Sequence, residues 1–430
     1  MTFENTLEFA RSLDREDPLK DFRDQFYIPI LHGKPSIYFT GNSLGLQPKT
    51  AQDLILNEME DWANFGSEAR LRAKNPWISY HEIFSEKMAP LLGALPAEII
   101  VMNQLSVNLH LLLTSFYRPG GKHCKIIYEE NAFSSDIYAL QSHVKLAGLD
   151  EADTMIEIKS REGEEWIRTE DIITAINECG DELALVLLGG VNYYTGQFFD
   201  IKAITKASHD AGAKCGYDLA HAVGNVALQL HDWEVDFACW CSYKYLNGGP
   251  GAVGGAYIHQ RYMNDATLPR LAGWWGNKKV SRFDMQSYFE PEHTAEGWQL
   301  SGPQVLNMAV LRASLDIFEA AGKERLIVKA KKLSSYLHFV LEAINDHNHL
   351  QVITPATEKD SGCQVSIRVF RHGKHILEML KQNSVIADWK EPDVVRIAAV
   401  PLYNQFEEIY HFGQILKTAL ESNNTSQPAN

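Results

Sequence analysis

The sequence predicts an α/β fold built on a large, mostly parallel sheet, with a smaller C-terminal α/β domain. Three observations carry that expectation. Leu183-Ala-Leu-Val-Leu-Leu188 is a short, continuous apolar run closed by Gly189-Gly190, the pattern of a strand buried on both faces. A helical pattern from Ile201 to Ala211 follows, and then a second short strand, Lys214-Cys-Gly-Tyr-Asp218, so strand, helix and strand alternate. With 430 residues and 45% hydrophobic content, the chain can bury such a sheet and divide into two domains.

Taken in order, residues up to about 45 are expected to form an N-terminal segment, 46–305 the large ligand-binding domain, 306–421 the small domain, and 422–430 a polar, frayed tail. Glu98-Ile-Ile-Val-Met102 reads as a strand, and Ser106 opens a helical run, Val107 to Phe116. Leu219 to Leu228 has apolar residues at helical or turn spacing, and Val235-Asp-Phe-Ala-Cys-Trp240 is a third central strand. Beyond it lie glycines at 248, 249, 251, 254 and 255, which let backbone turn or pass close to a ligand. Ser314 to Asn345 is helical in pattern, Gln364-Val-Ser-Ile-Arg-Val369 is a strand by alternation, and Arg396 sits in an alternating segment near the C-terminus. No internal repeat is evident.

Composition narrows the partners. A formal net charge of -15, with no basic patch interleaved with aromatics, argues against nucleic acid. No run approaches the ~18 apolar residues of a membrane span, and the opening Met-Thr-Phe-Glu-Asn lacks the basic and apolar regions of a signal peptide. A cytoplasmic location is expected. Six cysteines without a C-x-x-C pair suit reduced thiols, and Cys239 and Cys241, same-face neighbours on one strand, are poorly placed for a disulfide. Sixteen histidines without an H-E-x-x-H pattern give no reason to expect a metal.

Lys244 lies between the third strand and the glycine-rich turn, 26 residues after Asp218. Both fall at carboxyl ends of strands, which lie side by side in a parallel sheet and form the ligand-binding edge of open α/β folds. An amine able to form a Schiff base and a carboxylate able to keep a pyridine nitrogen protonated are the two groups pyridoxal phosphate chemistry needs. Singly, each has a plainer account: a solvated loop lysine, and an aspartate capping a helix. The surrounding set, Asp218-Leu-Ala-His221, Ser242, Tyr243 and the glycines, favours the pair as a site.

Several further stretches fall in the order of one family. Gly41-Asn-Ser-Leu-Gly-Leu-Gln-Pro48, Ser106-Val-Asn-Leu-His110, Phe133-Ser-Ser-Asp136, Tyr194-Thr-Gly-Gln197, Asp218-Leu-Ala-His-Ala-Val-Gly-Asn225, Tyr243-Lys-Tyr-Leu-Asn247, Gly273-Trp-Trp-Gly276 and Val395-Arg-Ile-Ala-Ala-Val-Pro-Leu-Tyr403 together resemble the kynureninase family. That family belongs to the aspartate aminotransferase-like, fold-type I pyridoxal phosphate enzymes. The resemblance implies a pyridoxal 5′-phosphate site. Leu105 and Ser106 would hold the phosphate at a helix N-terminus, Phe133 would stack on the ring, and Ser134, Ser135, Gly189 and Gly302 would contact the cofactor. Asp136 and Asp218 would lie near the pyridine nitrogen, with Asp218 making the direct bond. His221 would lie close to the cofactor, while Tyr243 and Trp274 would reach its phosphate. Arg396 would clamp a substrate α-carboxylate in bidentate fashion, and Ser43 and Ser301 would contribute to the substrate site.

The reaction so implied is hydrolytic cleavage between the β and γ carbons of L-kynurenine or its 3-hydroxy form, releasing anthranilate or hydroxyanthranilate and L-alanine. Lys244 would shuttle the α-proton and Tyr243 would take part in the late proton steps. The family precedent is a homodimer acting on a small molecule, with active sites near the subunit interface. Two positions depart from the family pattern: Gly189 replaces a common hydroxyl residue, and Gly302 stands where relatives preferring the 3-hydroxylated substrate carry asparagine. Gly66 to Lys74, where the family positions another ring contact, aligns poorly. These features lean toward unmodified kynurenine. Two other classes stay open: a cysteine desulfurase-like lyase, which would need a nucleophilic cysteine on a C-terminal loop, where Cys363 is the sole candidate, and a non-catalytic scaffold of the same fold.

Overall fold

A computed structural model describes residues 2–345, 349–357 and 359–425. Seven strands form the principal sheet: β1 Ile99–Val101, β2 Lys125–Glu129, β3 Met155–Ile158, β4 Leu183–Gly189, β5 Lys214–Asp218, β6 Phe237–Trp240 and β7 Gly255–Ile258. Their spatial order is β1-β7-β6-β5-β4-β2-β3, with β7 antiparallel to both of its neighbours and the remaining pairs parallel. Helices cover both faces, and the central strand β4 is a continuous apolar run for that reason: Leu183 to Leu188 are all buried. Each buried leucine or valine there contributes about 1.5–3 kcal/mol, which leaves little tolerance for a polar replacement.

The register puts functional positions along one edge. Gly189 at the end of β4 lies opposite Asp218 at the end of β5, and Asp218 lies opposite Cys239 in β6. Helix α1, Leu105–Phe116, follows β1, and α2, Ser134–Leu146, follows β2, so both begin at this same edge. Helix α3, Ile201–Asp210, returns the chain from β4 to β5 and is capped by the Asp200 carboxylate, which accepts from the Ala203 N–H at 3.0 Å. Leu219 to Leu228 forms turns. The Asp218 carboxylate accepts from the Ala220 N–H at 2.7 Å, and Gly224 adopts a positive φ, so local bonding closes the segment before a helix can propagate.

The expected helical stretch from Ser314 to Asn345 is two helices, α4 Val305–Ala321 and α5 Lys323–Ile344, broken at Gly322 with φ +79°. Helix α4 contributes Met308, Leu311 and Leu315 to the core beside the large sheet. A second core surrounds a four-stranded antiparallel sheet, β8 Leu350–Val352, β9 Gln364–Val369, β10 Asp388–Lys390 and β11 Val394–Ala398, ordered β8-β9-β11-β10. Ala10 and Leu13 of the N-terminal helix Leu7–Glu16 pack into this second core. The closing helix, α6 Phe406–Thr425, takes in the first residues of the polar tail; 426–430 lie outside the described residues.

Candidate active site

The Lys244 side chain enters a cleft lined by Ser106, Glu129, Phe133, Asp136, Asp218 and His221, with Tyr243 and Tyr193 at its walls. Its Nζ lies 2.9 Å from His221 Nε2, 5.9 Å from the centre of the Phe133 ring and 5.8 Å from that of Tyr243. The backbone beneath it is clamped by the Gly41-Asn-Ser-Leu-Gly45 motif. The Gly45 N–H donates to the Tyr243 carbonyl at 2.8 Å, and a Cβ at Gly45 would land on the Lys244 carbonyl and on Asn247 Oδ1. Only glycine permits that approach.

Three carboxylates converge at the floor. Burial pushes the Glu129 carboxyl up to about 7, against the opposing bond from the Gly189 N–H at 3.0 Å. Asp136 is raised well above the carboxylate range by burial and by the neighbouring Asp218 and Glu129 charges. Burial raises Asp218 too, with Lys244 acting in the opposite direction. The His221 imidazole is held well below its usual value by burial and by the charges of Lys244, Arg396 and Lys390, so it is neutral at pH 7. Asp136 Oδ1 and His221 Nδ1 are buried without a hydrogen-bond partner.

At the other end of the cleft, the N-termini of α1 and α2 meet: Ser106 Oγ and Ser135 Oγ are 2.8 Å apart. Gln104 and Phe133, the residues preceding the two helices, provide no side-chain cap, so helical N–H groups remain free to bind an anion. Gly254 keeps this corner open, because a Cβ there would stand 2.6 Å from the Trp240 carbonyl and 3.3 Å from the Leu105 nitrogen. An anion cradle, an aromatic ring, an amine and a nest of carboxylates lie in one cleft. That donor and acceptor set fits a phosphorylated, protonated heterocycle carrying an aldehyde.

Leu105, Ser106, Phe133, Ser135, Asp136, Gly189, Asp218, His221, Tyr243 and Lys244 all line the cleft, and Ser134 is the first residue of α2 beside it. Arg396 is buried on β11. It pairs with Asp388, and its Nη1 donates to the Tyr193 carbonyl at 2.6 Å, which puts it behind the Tyr193 wall. Ser43, Trp274, Ser301 and Gly302 are not among the lining residues. The Trp274 indole donates to the Arg282 carbonyl at 2.9 Å, the Ser301 carbonyl accepts from Gln299 at 3.1 Å, and the Ser43 N–H donates to the Thr40 carbonyl at 2.9 Å. Sequence reasoning missed Glu129, Tyr193, Asp388 and Lys390. Glu129 had a usable signal, since it closes an apolar strand at the same carboxyl edge as Asp218. Asp388 and Lys390 reach the site through strand pairing across a hairpin, which no local pattern reveals.

Among the described residues, two clusters elsewhere have the composition of metal sites, and protein groups occupy both. Glu98 accepts from the Leu95 and Gln260 N–H groups and pairs with His231, all at 2.9 Å, while His259 Nδ1 accepts from the Arg261 N–H at 3.2 Å. Between Glu82 and Glu296, beside His81, lies the Lys279 ammonium, at 2.8 and 3.0 Å from their oxygens. Cys363 is fully buried and its thiol is pushed up to about 12 by burial, the opposite of what a mobile nucleophile needs.

Comparison with known proteins places this geometry. Residues 326–416 match the model of the kynureninase C-terminal domain. The chain is 50% identical to kynureninase of Flavobacterium psychrophilum, covering 98% of this chain and 100% of the relative, and 51% identical to that of Flavobacterium johnsoniae, covering 98% and 99%. It is 43% identical to kynureninase of Nematostella vectensis, covering 96% and 94%. Among solved structures, a C-DES variant with glycine covalently linked to its PLP cofactor superposes with a TM-score of 0.75 at 18% identity, covering 89% of this chain and 96% of that one. The cysteine desulfurase CsdA of Escherichia coli gives 0.74 at 16% identity, covering 94% and 98%. At such identity these two establish the fold.

Proposed function

This chain belongs to the kynureninase family, a pyridoxal phosphate-dependent enzyme cleaving L-kynurenine to anthranilate and L-alanine, and we propose that the Lys244 cleft is where it does so. The observation that carries the assignment is the Lys244 amine beside neutral His221, above Asp218 and Asp136 and facing the uncapped helix pair. The Ser106 and Ser135 hydroxyls with the N-termini of α1 and α2 would hold the phosphate, Phe133 would cover the ring, and Asp218 would face the pyridine nitrogen. When bound, pyridoxal phosphate supplies an aldehyde that exchanges amines and a protonated ring that takes up electrons from the substrate α-carbon.

The protein side of the mechanism follows from the groups around that position. Lys244 Nζ would hold the cofactor aldehyde and, as a free amine, would move the substrate α-proton. His221 contacts the lysine through Nε2 and, held neutral, adds no positive charge against it. Burial, with Cys241 beside it, pushes the Tyr243 phenol up, so it stays protonated through neutral pH and can donate its proton late in the reaction. Water adds at the γ-carbonyl, the bond between the β and γ carbons breaks, the aryl carboxylate leaves and the three-carbon fragment is protonated to alanine. Arg396 would bind the α-carboxylate. The buried Cys363 disfavours desulfurase chemistry, and the intact lysine and carboxylates disfavour a scaffold role.

A homodimer is part of the same reading. A groove of about 720 Å3 beside the cleft is lined by Tyr27, Leu44, Ile55, Leu56, Pro250 and Val310, and exposed Met59 and Trp62 flank it on the same helix as Leu56. Apolar surface of this extent calls for a cover. A second copy there would explain why Trp274, Ser301 and Gly302 match family contacts yet stand outside the cleft of their own chain. A cytoplasmic setting suits six free cysteines, and among the described residues no helix is long and apolar enough to cross a membrane.

The test is incubation of the cofactor-loaded protein with L-kynurenine and with 3-hydroxykynurenine, following anthranilate, hydroxyanthranilate and alanine. Equimolar aryl product and alanine are expected. No product from either substrate, with cofactor bound, would overturn the assignment.

A further inference from the structure

Behind the Tyr193 wall of the cleft, the arginine read as the carboxylate clamp is paired with an acid that works against that task. Arg396, whose side chain is 3% exposed, is already paired with Asp388, directly opposite it in the β10–β11 register. Its Nη1 is taken by the Tyr193 carbonyl, and its Nε is buried without a partner. An incoming α-carboxylate would therefore place a second anion against one buried guanidinium, with Asp388 repelling it. Lys390 stands two residues along β10, so it projects from the same face as Asp388, and its Nζ lies 4.0 Å from the same Asp388 oxygen that meets Arg396. Two cations and one anion carry a net single positive charge, the complement of one carboxylate.

We propose that Lys390 is a positioning residue for substrate binding: it takes over Asp388 as the substrate carboxylate arrives, releasing the Arg396 guanidinium to bind that carboxylate. This rests on the reading of Arg396 as the α-carboxylate site and adds the pair that sets its charge. Lys390 is close enough to the chemistry to act there. Burial first, and then the Arg396 and Lys244 charges, hold its amine below the usual lysine value, and its charge is felt in turn by His221. Its side chain is 35% exposed against 17% for Asp388, so it can move at lower cost than its buried neighbours. The hydrogen bond from Arg396 to Tyr193 survives the exchange, so the guanidinium turns about a fixed point.

The experiment uses the cofactor-loaded enzyme and three readouts: KM and kcat for L-kynurenine, the dissociation constant of L-alanine from the cofactor absorbance, and that of ethylamine, which has no carboxylate. Lys390→Met is expected to raise the L-kynurenine KM and the L-alanine dissociation constant about tenfold, while kcat stays within about twofold and ethylamine is unaffected. Lys390→Arg should restore both. Asp388→Asn combined with Lys390→Met returns the cluster to a single positive charge, and L-alanine binding should recover to near the wild-type value. The proposal is overturned if Lys390→Met leaves L-alanine affinity unchanged, if ethylamine weakens equally, or if the double variant binds no better than Lys390→Met alone. Failure of the wild-type enzyme to cleave L-kynurenine would sink the substrate assignment instead, and the L-alanine and ethylamine comparison would still decide the charge proposal.

Discussion

Nζ of Lys244 and Nε2 of His221 are 2.9 Å apart, and the other ring nitrogen of His221 is buried without a partner. Burial and three nearby cations keep the imidazole neutral, so it packs against the lysine without adding a positive charge beside it.

Lys244→Ala should abolish covalent cofactor attachment. Borohydride treatment followed by mass measurement should leave the variant unlabelled while wild type gains the reduced cofactor on a peptide containing residue 244. Activity should fall by ~10³-fold or more, because on the proposed reading one amine both forms the attachment and moves the α-proton. A labelled variant would mean another lysine does this work.

Gly45→Ala tests whether the glycine motif near the N-terminus serves the active site. The added methyl would strike the Lys244 carbonyl and the fully buried Asn247. A loss of about 1–3 kcal/mol of stability is expected from such overpacking, together with reduced cofactor content. Thermal melting and cofactor absorbance measure the two effects, and loss of stability with full cofactor occupancy and activity would uncouple the motif from the lysine loop.

Much of this site was legible in the sequence because its parts sit where strands end. Asp218 closes β5 and Lys244 follows β6, and a parallel sheet sets such ends side by side. Residues whose placement depends on tertiary contacts were less visible. Nothing in Asp388-Trp-Lys390 announces a strand that pairs with the one bearing Arg396, and Glu129 reads locally as the polar end of an apolar run. The break at Gly322 was hidden for a different reason: apolar residues keep helical spacing on both sides, and only the glycine's positive φ interrupts them.

Glu129 gives the cofactor-free protein a distinctive pH dependence. Its folded pKa, about 7, lies above the ordinary 4.5, so the folded state holds a proton that the unfolded state has released between those values. The associated stability is fully present below pH 4.5 and is lost as pH rises through 7, an effect on the order of 3 kcal/mol. The Asp136 and Asp218 shifts have the same sign. Glu129→Gln should flatten the decline in melting temperature between pH 5 and 8. If pyridoxal phosphate brings its protonated nitrogen to this cluster as proposed, it should raise the melting temperature more at pH 8 than at pH 6. An equal rise at both pH values would show that these acids do not meet the bound cofactor.

Position 302 is expected to influence which substrate ring is accepted. A Cβ there would lie 3.5 Å from the Trp275 ring, an ordinary contact, and the backbone at 302 is outside the positive-φ region, so asparagine fits without strain. Glycine offers no side chain to bond a ring hydroxyl, whereas an asparagine amide both donates and accepts. Gly302→Asn should therefore raise kcat/KM for 3-hydroxykynurenine relative to L-kynurenine by about tenfold, the worth of one good hydrogen bond to the ring hydroxyl. Because Gly302 lies outside the cleft of its own chain, the effect also depends on a second subunit bringing it near the substrate. Sedimentation of the same variant separates the two causes. A dimeric protein with an unchanged substrate ratio would remove position 302 from the specificity site, and a monomeric wild-type protein that discriminates between the substrates would place that specificity within a single chain.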